Sequence, residues 1–428
     1  MNERRFLVYL NTEQQSALEL MKSGRNVFLR GDAGTGKTVV INRFVDSDPD
    51  RIVSLAPTGL AASNLKHGGM TIHRFLGALS QDWTQNPEKV REYLRSLRSL
   101  IIEEISMVRS DLFSQLDHDL RIYTGRDQPF GGIPLIVVGD FYQLPPVVKS
   151  EAEQEFLEKN MNGIFAFDAL VWKSAEFQNA ELKTPHRQTD QEFLNLLRTV
   201  RTGAVGLEEQ LQRLNSKVRR QPPPLSRSLC CYRKQADSIN QAHVERLLTP
   251  GEVYIGKHGG YYPEQERPAP MRLKVKAGMR ALLTANDPEG RYVNGDVGEV
   301  LTCWKDSIWI RLLRGPKIAV YRHTWFNYDY HIVTQPDGSS KLDSRIVGCF
   351  TQFPVLPAYA MTIHKAQGQT LDQVHLELGT RPCFASGQLY TALSRVHSLE
   401  ELTISRPLQV ADVVVDEQVQ RFYERLGD

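Results

Sequence analysis

The stretch "NVFLRGDAGTGKT", Asn26 to Thr38, decides the fold. Asn26–Arg30 is a short apolar run of the length of a buried strand. It is followed by "GDAGTGKT", a full phosphate-loop pattern placed where a helix opens. The glycines let successive backbone N–H groups curl around phosphates, Lys37 reaches the β/γ-phosphates and Thr38 offers a hydroxyl to Mg²⁺. Gly31, Ala33, Gly34, Thr35, Gly36, Lys37 and Thr38 are therefore the candidate nucleotide cradle. A pattern of this length arises by chance in only about one or two such chains per hundred. Its strand–loop–helix setting selects nucleotide binding over a chance Gly-rich turn.

Further runs repeat the theme: "RIVSLA" (Arg51–Ala56), "SLIIEE" (Ser99–Glu104) and "PLIVVGD" (Pro134–Asp140). Short apolar runs alternating with helical stretches specify buried parallel strands and an α/β layered fold, with ligands at the C-terminal strand edge. "LIIEEISMV" is such an edge. A lone pair of glutamates usually marks a strand surfacing in water, but a phosphate loop upstream reverses those odds. Phosphate-loop enzymes end a second strand in a carboxylate that holds Mg²⁺, often beside one that polarises water. Glu103 is the expected metal-side group and Glu104 the expected base. In "NTEQQSALELM", Thr12 as N-cap with Gln15 three residues on would form a capping box and leave Gln14 free for a ligand.

The 428 residues exceed one ordinary core, and 52 Lys plus Arg against 50 Asp plus Glu give no bulk charge that announces a polyanion. A basic groove can still hide within such a total. The five cysteines show no CxxC pair, so neither a disulfide framework nor a zinc site is expected, and a reducing cytosol is the default. No apolar run reaches the roughly 18 residues needed to span a bilayer, and the N-terminus lacks a signal-peptide stretch. A soluble intracellular protein with no membrane association is expected.

"SLCCY" (Ser228–Tyr232), "VHLEL" (Val374–Leu378) and "ELTIS" (Glu401–Ser405) predict a second α/β unit. Between Asp296 and Gly348 the runs are short, β-branched and aromatic, which predicts a small β-barrel or sandwich inserted into that unit. "GKHGGYYPEQERPAP" before it reads as a loop, and "RRQPPPLSR" (Arg219–Arg227) as a stiff connector. The expected division is residues 1–180 for a first phosphate-loop domain, 181–295 with 349–428 for the second, and 296–348 for the insert.

Taken together, "LNTEQ", "GDAGTGKT", "APTGLAA", "GGMTIHRF", "LIIEEISMV", "GDFYQLPPV", "HRQTDQEF", "TIHKAQGQTLDQV" and "LYTALSRV" resemble superfamily I DNA helicases in order and spacing. The chain looks most like the Pif (petite integration frequency) helicases, a RecD-like branch moving 5′→3′. "LFSQLDHDLRIY" followed by "FGGIPLIVVGDFYQLPPV" resembles that family's signature region. The resemblance runs from about residue 10 to residue 405. It implies two RecA-like domains, an SH3-like barrel at 296–348 and a strand-splitting wedge at about 76–95.

By the same resemblance Gln14 reads adenine, Gln143 senses the γ-phosphate, and Arg187 ("HRQ") and Arg395 ("ALSR") reach it from the second domain. Gly368 and Gln369 of "TIHKAQGQT" join the nucleotide site. Pro57, Thr58, His73, Thr362, His364 and Lys365 line a single-strand channel, where such groups suit phosphate contacts that carry no sequence information. Phe75, Trp83 and Tyr359 are candidate stacking platforms, although core packing is the commoner role for any one of them. Arg311, Arg314, Lys317, Arg322 and Trp325 give the insert basic and aromatic content compatible with holding DNA. The implied activity is ATP- and Mg²⁺-dependent translocation on single-stranded DNA and unwinding of forked duplex, in genome maintenance, by a monomer. The short flanks favour a bacterial or phage protein of the cytoplasm.

One departure concerns the opening strand edge: the family normally has Asp–Glu where this chain has Glu103–Glu104. The extra methylene matters because a misplacement near 1 Å costs about 10²-fold in a tuned site. Contact through a water relaxes that demand, so an active enzyme is expected rather than a DNA-binding module with a dead ATPase. A different phosphate-loop motor would not need Gln143, "HKAQGQT" and "ALSR" in this order.

Overall fold

Strand Val27–Gly31 (β1) is buried along its whole length and sits inside a six-stranded sheet. The other members are Ile52–Ala56 (β2), Met70–Thr71 (β3), Ser99–Ile102 (β4), Leu135–Gly139 (β5) and Gln178–Leu182 (β6), in the order β3-β2-β4-β5-β1-β6. Every pairing is parallel. β1, β4 and β5 carry apolar residues on both faces because helices cover both, which leaves no solvated side to demand alternation. This computed structural model describes residues 9–63, 65, 69–148, 150–188, 190–224, 226–313, 315–334, 340–379 and 383–427.

Register brings the motifs together. Arg30 pairs with Gly139 and Ile102 with Val137. The phosphate loop, the "GDFYQ" loop and the Glu103–Glu104 pair thus leave one sheet edge from three adjacent strands.

A second sheet is also parallel, ordered Ala360–Thr362, Arg227–Cys230, Val374–Glu377 and Leu402–Ile404. Mixed α/β architecture with parallel sheets is as expected. The antiparallel part is larger than the expected 296–348. Its strands run from Gly251–Ile255 to Val355–Pro357 and form sheets of two, five and three strands. The stretch expected to be a loop supplies one of them, Lys257–Gly260, on the edge of the long hairpin His323–Thr334/Ser340–Gln352. Gly348 permits that pairing, since a Cβ there would lie 2.1 Å from the Tyr261 carbonyl oxygen. Arg311, Lys317, Arg322 and Trp325 belong to this region, whereas Arg314 lies outside the described residues.

At the expected wedge the chain makes two helices, Ile72–Gln85 and Pro87–Ser96. Asn86 ends the first and caps the second through the Lys89 N–H, with Pro87 at the first helical position. Arg74 ties this pair to the antiparallel region, donating to Glu266 (2.5 Å) and to the Asn327 side-chain oxygen (2.9 Å).

The C-terminal helix Glu417–Leu426 departs from the expected division. It leaves the second sheet and packs on the first: Phe422 stacks on Phe167 at 4.3 Å and meets Phe28, Phe141 and Trp172. Phe28, Phe141, Phe167 and Trp172 give the Phe422 ring an aromatic cluster to bury against, which fixes the helix there.

Candidate functional site

The phosphate loop folds as a positive-φ turn around a concavity. Gly34 and Gly36 both adopt φ 85°, and Gly36 is the left-handed N-cap of helix Lys37–Val45. A Cβ on Gly34 would lie 2.6 Å from the Arg187 Cβ, so only glycine lets the "HRQ" segment close over the loop. Lys37 is half-buried and donates to the Gly31 and Asp32 carbonyl oxygens at 2.7 and 3.0 Å. Burial lowers its pKa, opposed by the carboxylates of Asp140, Glu104 and Asp32. A polyphosphate would supply the negative charge that this ammonium otherwise draws only from distant carboxylates.

The two glutamates part company. The Glu103 pKa is pushed up to about 7 from the usual 4.5, because burial disfavours its charge, Glu104 adds to that, and Lys37 only partly opposes. Glu104 occupies a left-handed conformation (φ 53°, ψ 48°) that a glutamate rarely adopts. Its Oε2 accepts from the Gln367 side chain at 2.9 Å, across the cleft from the second sheet. Strain that surrounding structure holds in place is a mark of a placed functional group. Thr38 and Glu103 are the residues that would hold Mg²⁺: burial raises the Glu103 pKa, and a cation beside the carboxylate would lower it. Among the described residues no cluster of three or more His, Cys, Asp or Glu could hold a metal ion.

This gives a pH prediction. Glu103 has its folded pKa raised above its unfolded value, so its contribution to stability is present below pH 4.5 and lost as pH rises through about 7. Mg²⁺ added with ADP should therefore raise the melting temperature more at pH 8 than at pH 6. Glu103→Gln should flatten that difference; an unchanged difference in the variant would place the metal elsewhere.

Gln14 is placed, but not as expected. The N-cap is Asn11, and Gln14 itself is the third helical residue of the capping box: the Asn11 side chain accepts from the Gln14 N–H (2.8 Å) and Gln14 Oε1 accepts from the Asn11 N–H (3.1 Å). Gln14 is not free, though its Nε2 still lies 3.4 Å from the Thr35 carbonyl and 3.2 Å from His186 Nε2. Asn11 and Gln14 both turn amide nitrogens to His186 Nε2, which must therefore accept. His186, beside the loop at Gly36, was not picked out from sequence.

Arg187 was expected from the second domain, but it lies on the segment leaving β6 of the first sheet, held at the phosphate loop by the His186 N–H to the Gly34 carbonyl (2.8 Å), and it donates across to the Ser394 carbonyl (3.0 Å). Arg395 is fully buried, bonded to the Thr391 carbonyl (2.8 Å), Ser394 Oγ (2.7 Å) and the Gln369 carbonyl (3.3 Å). Burial, with Arg187 adding to it, brings the Arg395 pKa down to about 10. Two close guanidiniums with Glu104 opposite make a cleft suited to an anion. Gly368 flanks Glu104, its Cβ position 3.5 Å from Oε1. The Gln369 side chain instead turns back to the Lys365 carbonyl (3.0 Å), so Gln367 is the residue of this segment that reaches the carboxylate. Gln143 is buried on the turn its N–H closes with the Asp140 carbonyl at 3.0 Å.

Sequence reasoning missed the junction around Asp140. This carboxylate is buried, yet Arg201 holds it below its usual range despite that burial. Arg201 bonds to it at 3.0 Å and also reaches Asp32 of the phosphate loop at 3.2 Å. Two tyrosine hydroxyls donate to it: Tyr390 (3.2 Å) and Tyr423 of the C-terminal helix (3.3 Å). The visible signal was the buried-looking "VVGD" end of β5, which needs a partner for its charge.

For the candidate channel, Thr58, Thr71 and Thr362 repeat one arrangement. Each hydroxyl accepts from a backbone N–H three residues on, from Ala61, Arg74 and Lys365 at 3.2, 3.2 and 3.3 Å. Thr71 and Thr362 share φ −77° with ψ 151° and 152°, so His73 and His364 stand at matching places in the two sheets. A capping threonine keeps its proton to donate, which suits a phosphate oxygen. His73 and Lys365 are exposed; Pro57, Thr58, Thr362 and His364 are half-buried. The platforms fare worse: Phe75 is core, Trp83 lies against Tyr123 at 4.9 Å, and Tyr359 stacks on His243 at 4.3 Å.

Comparison with known proteins bears on the whole arrangement. Residues 9–210 match the family model described as PIF1-like helicase. The chain is similar to the ATP-dependent DNA helicase PIF1 of Danio rerio, 34% identical over 97% of this chain and 64% of that protein. It is also similar to the ATP-dependent DNA helicase Pif1 of Bdellovibrio bacteriovorus, 31% identical over 98% of this chain and 92% of the other. The crystal structure of a Bacteroides Pif1 with ADP-AlF4 superposes with a TM-score of 0.82 at 31% identity, covering 98% of both chains. The chain spans about 61–64% of the length of the Danio and Xenopus relatives. No helix among the described residues is long and apolar enough to cross a membrane.

Proposed function

This chain belongs to the PIF1-like helicases, and on that premise we propose that it is an ATP-dependent DNA helicase moving 5′→3′ along single-stranded DNA. The observation that carries this reading is the cleft itself: one sheet brings Lys37, Glu103, Glu104, Gln143 and, on the segment after β6, Arg187 to its edge, and the second unit brings Arg395 and Gln367 against them. Phosphoryl transfer is catalysed by positioning and by cations on developing charge, and the cleft offers both.

In this reading Glu104 polarises the attacking water from an orientation that its left-handed backbone and Gln367 hold. Arg187 and Arg395 stabilise the γ-phosphoryl charge, Gln143 senses it and Gln14 contacts the adenine. Mg²⁺, at Thr38 and Glu103, neutralises phosphate charge when bound. Because Glu104 touches the second unit directly, hydrolysis and cleft opening are mechanically linked. The paired Thr-Ile-His turns bind the phosphates of one strand, so opening and closing moves that strand. Single-stranded and forked DNA are the partners, the helices at 72–96 part the strands, and the protein works as a monomer.

The test is unwinding of duplexes carrying a 5′ or a 3′ single-stranded tail, with and without ATP. Unwinding of the 5′-tailed duplex alone, only with ATP, is expected. Binding of the single strand should weaken with salt with a log–log slope of about −0.7 per phosphate neutralised. Unwinding from the 3′ tail would overturn the polarity, and absence of stimulation of ATP turnover by single strands would overturn the motor.

A further inference from the structure

We infer that Tyr390 and Arg201 are positioning residues that hold the γ-phosphate sensor loop in register with the phosphate loop, closing a buried ring through Asp140. The inference rests on the motor reading above and names residues that reading does not use. The ring can be followed atom by atom. The Ala33 N–H, in the phosphate loop, donates to the Tyr390 hydroxyl at 3.2 Å, and that hydroxyl donates to Asp140 Oδ2 at 3.2 Å. Asp140 takes Arg201 Nη2 at 3.0 Å, and Arg201 Nε returns to Asp32 Oδ1 at 3.2 Å, one residue before Ala33. The Tyr142 N–H also donates to Asp140 at 3.2 Å, which leads directly into the turn bearing Gln143.

Three features separate this ring from ordinary structural packing. First, its charges are expensive where they are. Asp140 is 1% exposed, and a buried ion network contributes little stability over apolar residues of the same volume. Second, its members come from separate parts of the fold: Asp32 follows β1, Asp140 follows β5, Arg201 lies on helix Gln191–Thr202 and Tyr390 on helix Gln388–Leu393 of the second unit. Tyr390 precedes Arg395 by little more than one helical turn, so any movement that carries the arginine to or from the nucleotide also carries the hydroxyl. Third, Gly387 packs on the sensor loop so closely that a Cβ would lie 2.1 Å from the Tyr142 carbonyl oxygen and 2.5 Å from that of Gln143. A shift of the second unit must therefore be felt at both ends of the ring.

Tyr423 supports the ring from outside. Its ring stacks on Tyr142 at 4.8 Å, its hydroxyl accepts from the Phe141 N–H at 3.1 Å, and it donates to Asp140. Arg201 lies over both tyrosine rings, 4.2 Å from the Tyr142 centroid and 5.2 Å from that of Tyr423. None of these groups has a role in the reaction proposed above. They set where Gln143 and the phosphate loop stand relative to each other, and the Tyr390 link exists only while the second unit is docked.

The experiment is steady-state ATP turnover by the full chain with saturating single-stranded DNA. Tyr390→Phe removes one oxygen and keeps the ring. Its kcat should fall by about tenfold or more, the scale of a small misplacement, while KM for ATP stays within about twofold. Melting temperature should be little changed. Arg201→Lys should act on kcat in the same way, and the double variant should fall no further than the worse single, because both break one ring. Tyr423→Phe gives the same pattern in weaker form and serves if Tyr390→Phe does not fold. An unchanged kcat in Tyr390→Phe, or kcat, KM and melting temperature falling together, would overturn the assignment, as would effects that multiply in the double variant. A wild-type chain without DNA-stimulated turnover would overturn the motor reading and this assignment with it.

Discussion

Glu104→Gln should lower DNA-stimulated ATP turnover by about 10²–10⁴-fold, the range for losing a placed general base. ATP binding should survive, because Lys37 and the loop amides are untouched. The substitution keeps the volume of the side chain and exchanges one carboxylate oxygen for an amide nitrogen. That nitrogen would face the donor amide of Gln367, which now donates to Oε2 at 2.9 Å, so either Gln367 turns or the introduced amide flips. The left-handed backbone at this position is set by the turn into Ile105–Met107 and should not change. Turnover and binding of a labelled nucleotide, measured side by side, separate the chemistry from the affinity. Turnover equal to that of the parent would remove Glu104 from the role of base.

Arg187→Ala should cost about 10³-fold or more in turnover, as expected when a cation on the transferring phosphoryl group is removed. The arginine lies against Gly34 of the phosphate loop, and its guanidinium donates to the Ser394 carbonyl. It therefore belongs to the closed cleft from both sides. Arg395 is a poorer choice for this test. It is wholly buried and bonded to four groups of its own unit, so removing it would also loosen the second sheet. Single-stranded DNA binding by Arg187→Ala should stay near that of the parent, since the paired threonine–histidine turns lie on other strands. Loss of DNA binding together with turnover would show that the variant has lost its fold rather than its charge.

The pieces of the site that read clearly from sequence are those made by consecutive residues. A phosphate loop needs glycines with positive φ at fixed offsets, a lysine and a hydroxyl, all within one turn, so its chemistry is written in one short stretch. Thr-Ile-His at Thr71 and Thr362 is legible for the same reason, because an N-cap and the next turn are local. Errors of one or two positions arose where two local solutions compete. Asn11 and Thr12 can both cap the first helix, and packing chose Asn11, which drew Gln14 into the box. Gln367 and Gln369 stand on one short turn, and only the opposite sheet decides which of them meets Glu104.

By itself the sequence determined the α/β architecture, the phosphate loop and the carboxylate pair at the end of β4. Each of these follows from apolar runs of strand length or from loop chemistry that tolerates few residue types. Tertiary structure alone decided the ring around Asp140, the return of the C-terminal helix to the first sheet and the burial that raises the Glu103 pKa. Asp140 meets its partners across 61, 250 and 283 positions, and such separations leave no periodic trace in a chain. An aspartate after a strand looks the same whether it faces water or a buried arginine. What makes it part of a device is desolvation and the charge that answers it, and both exist only once the layers have closed.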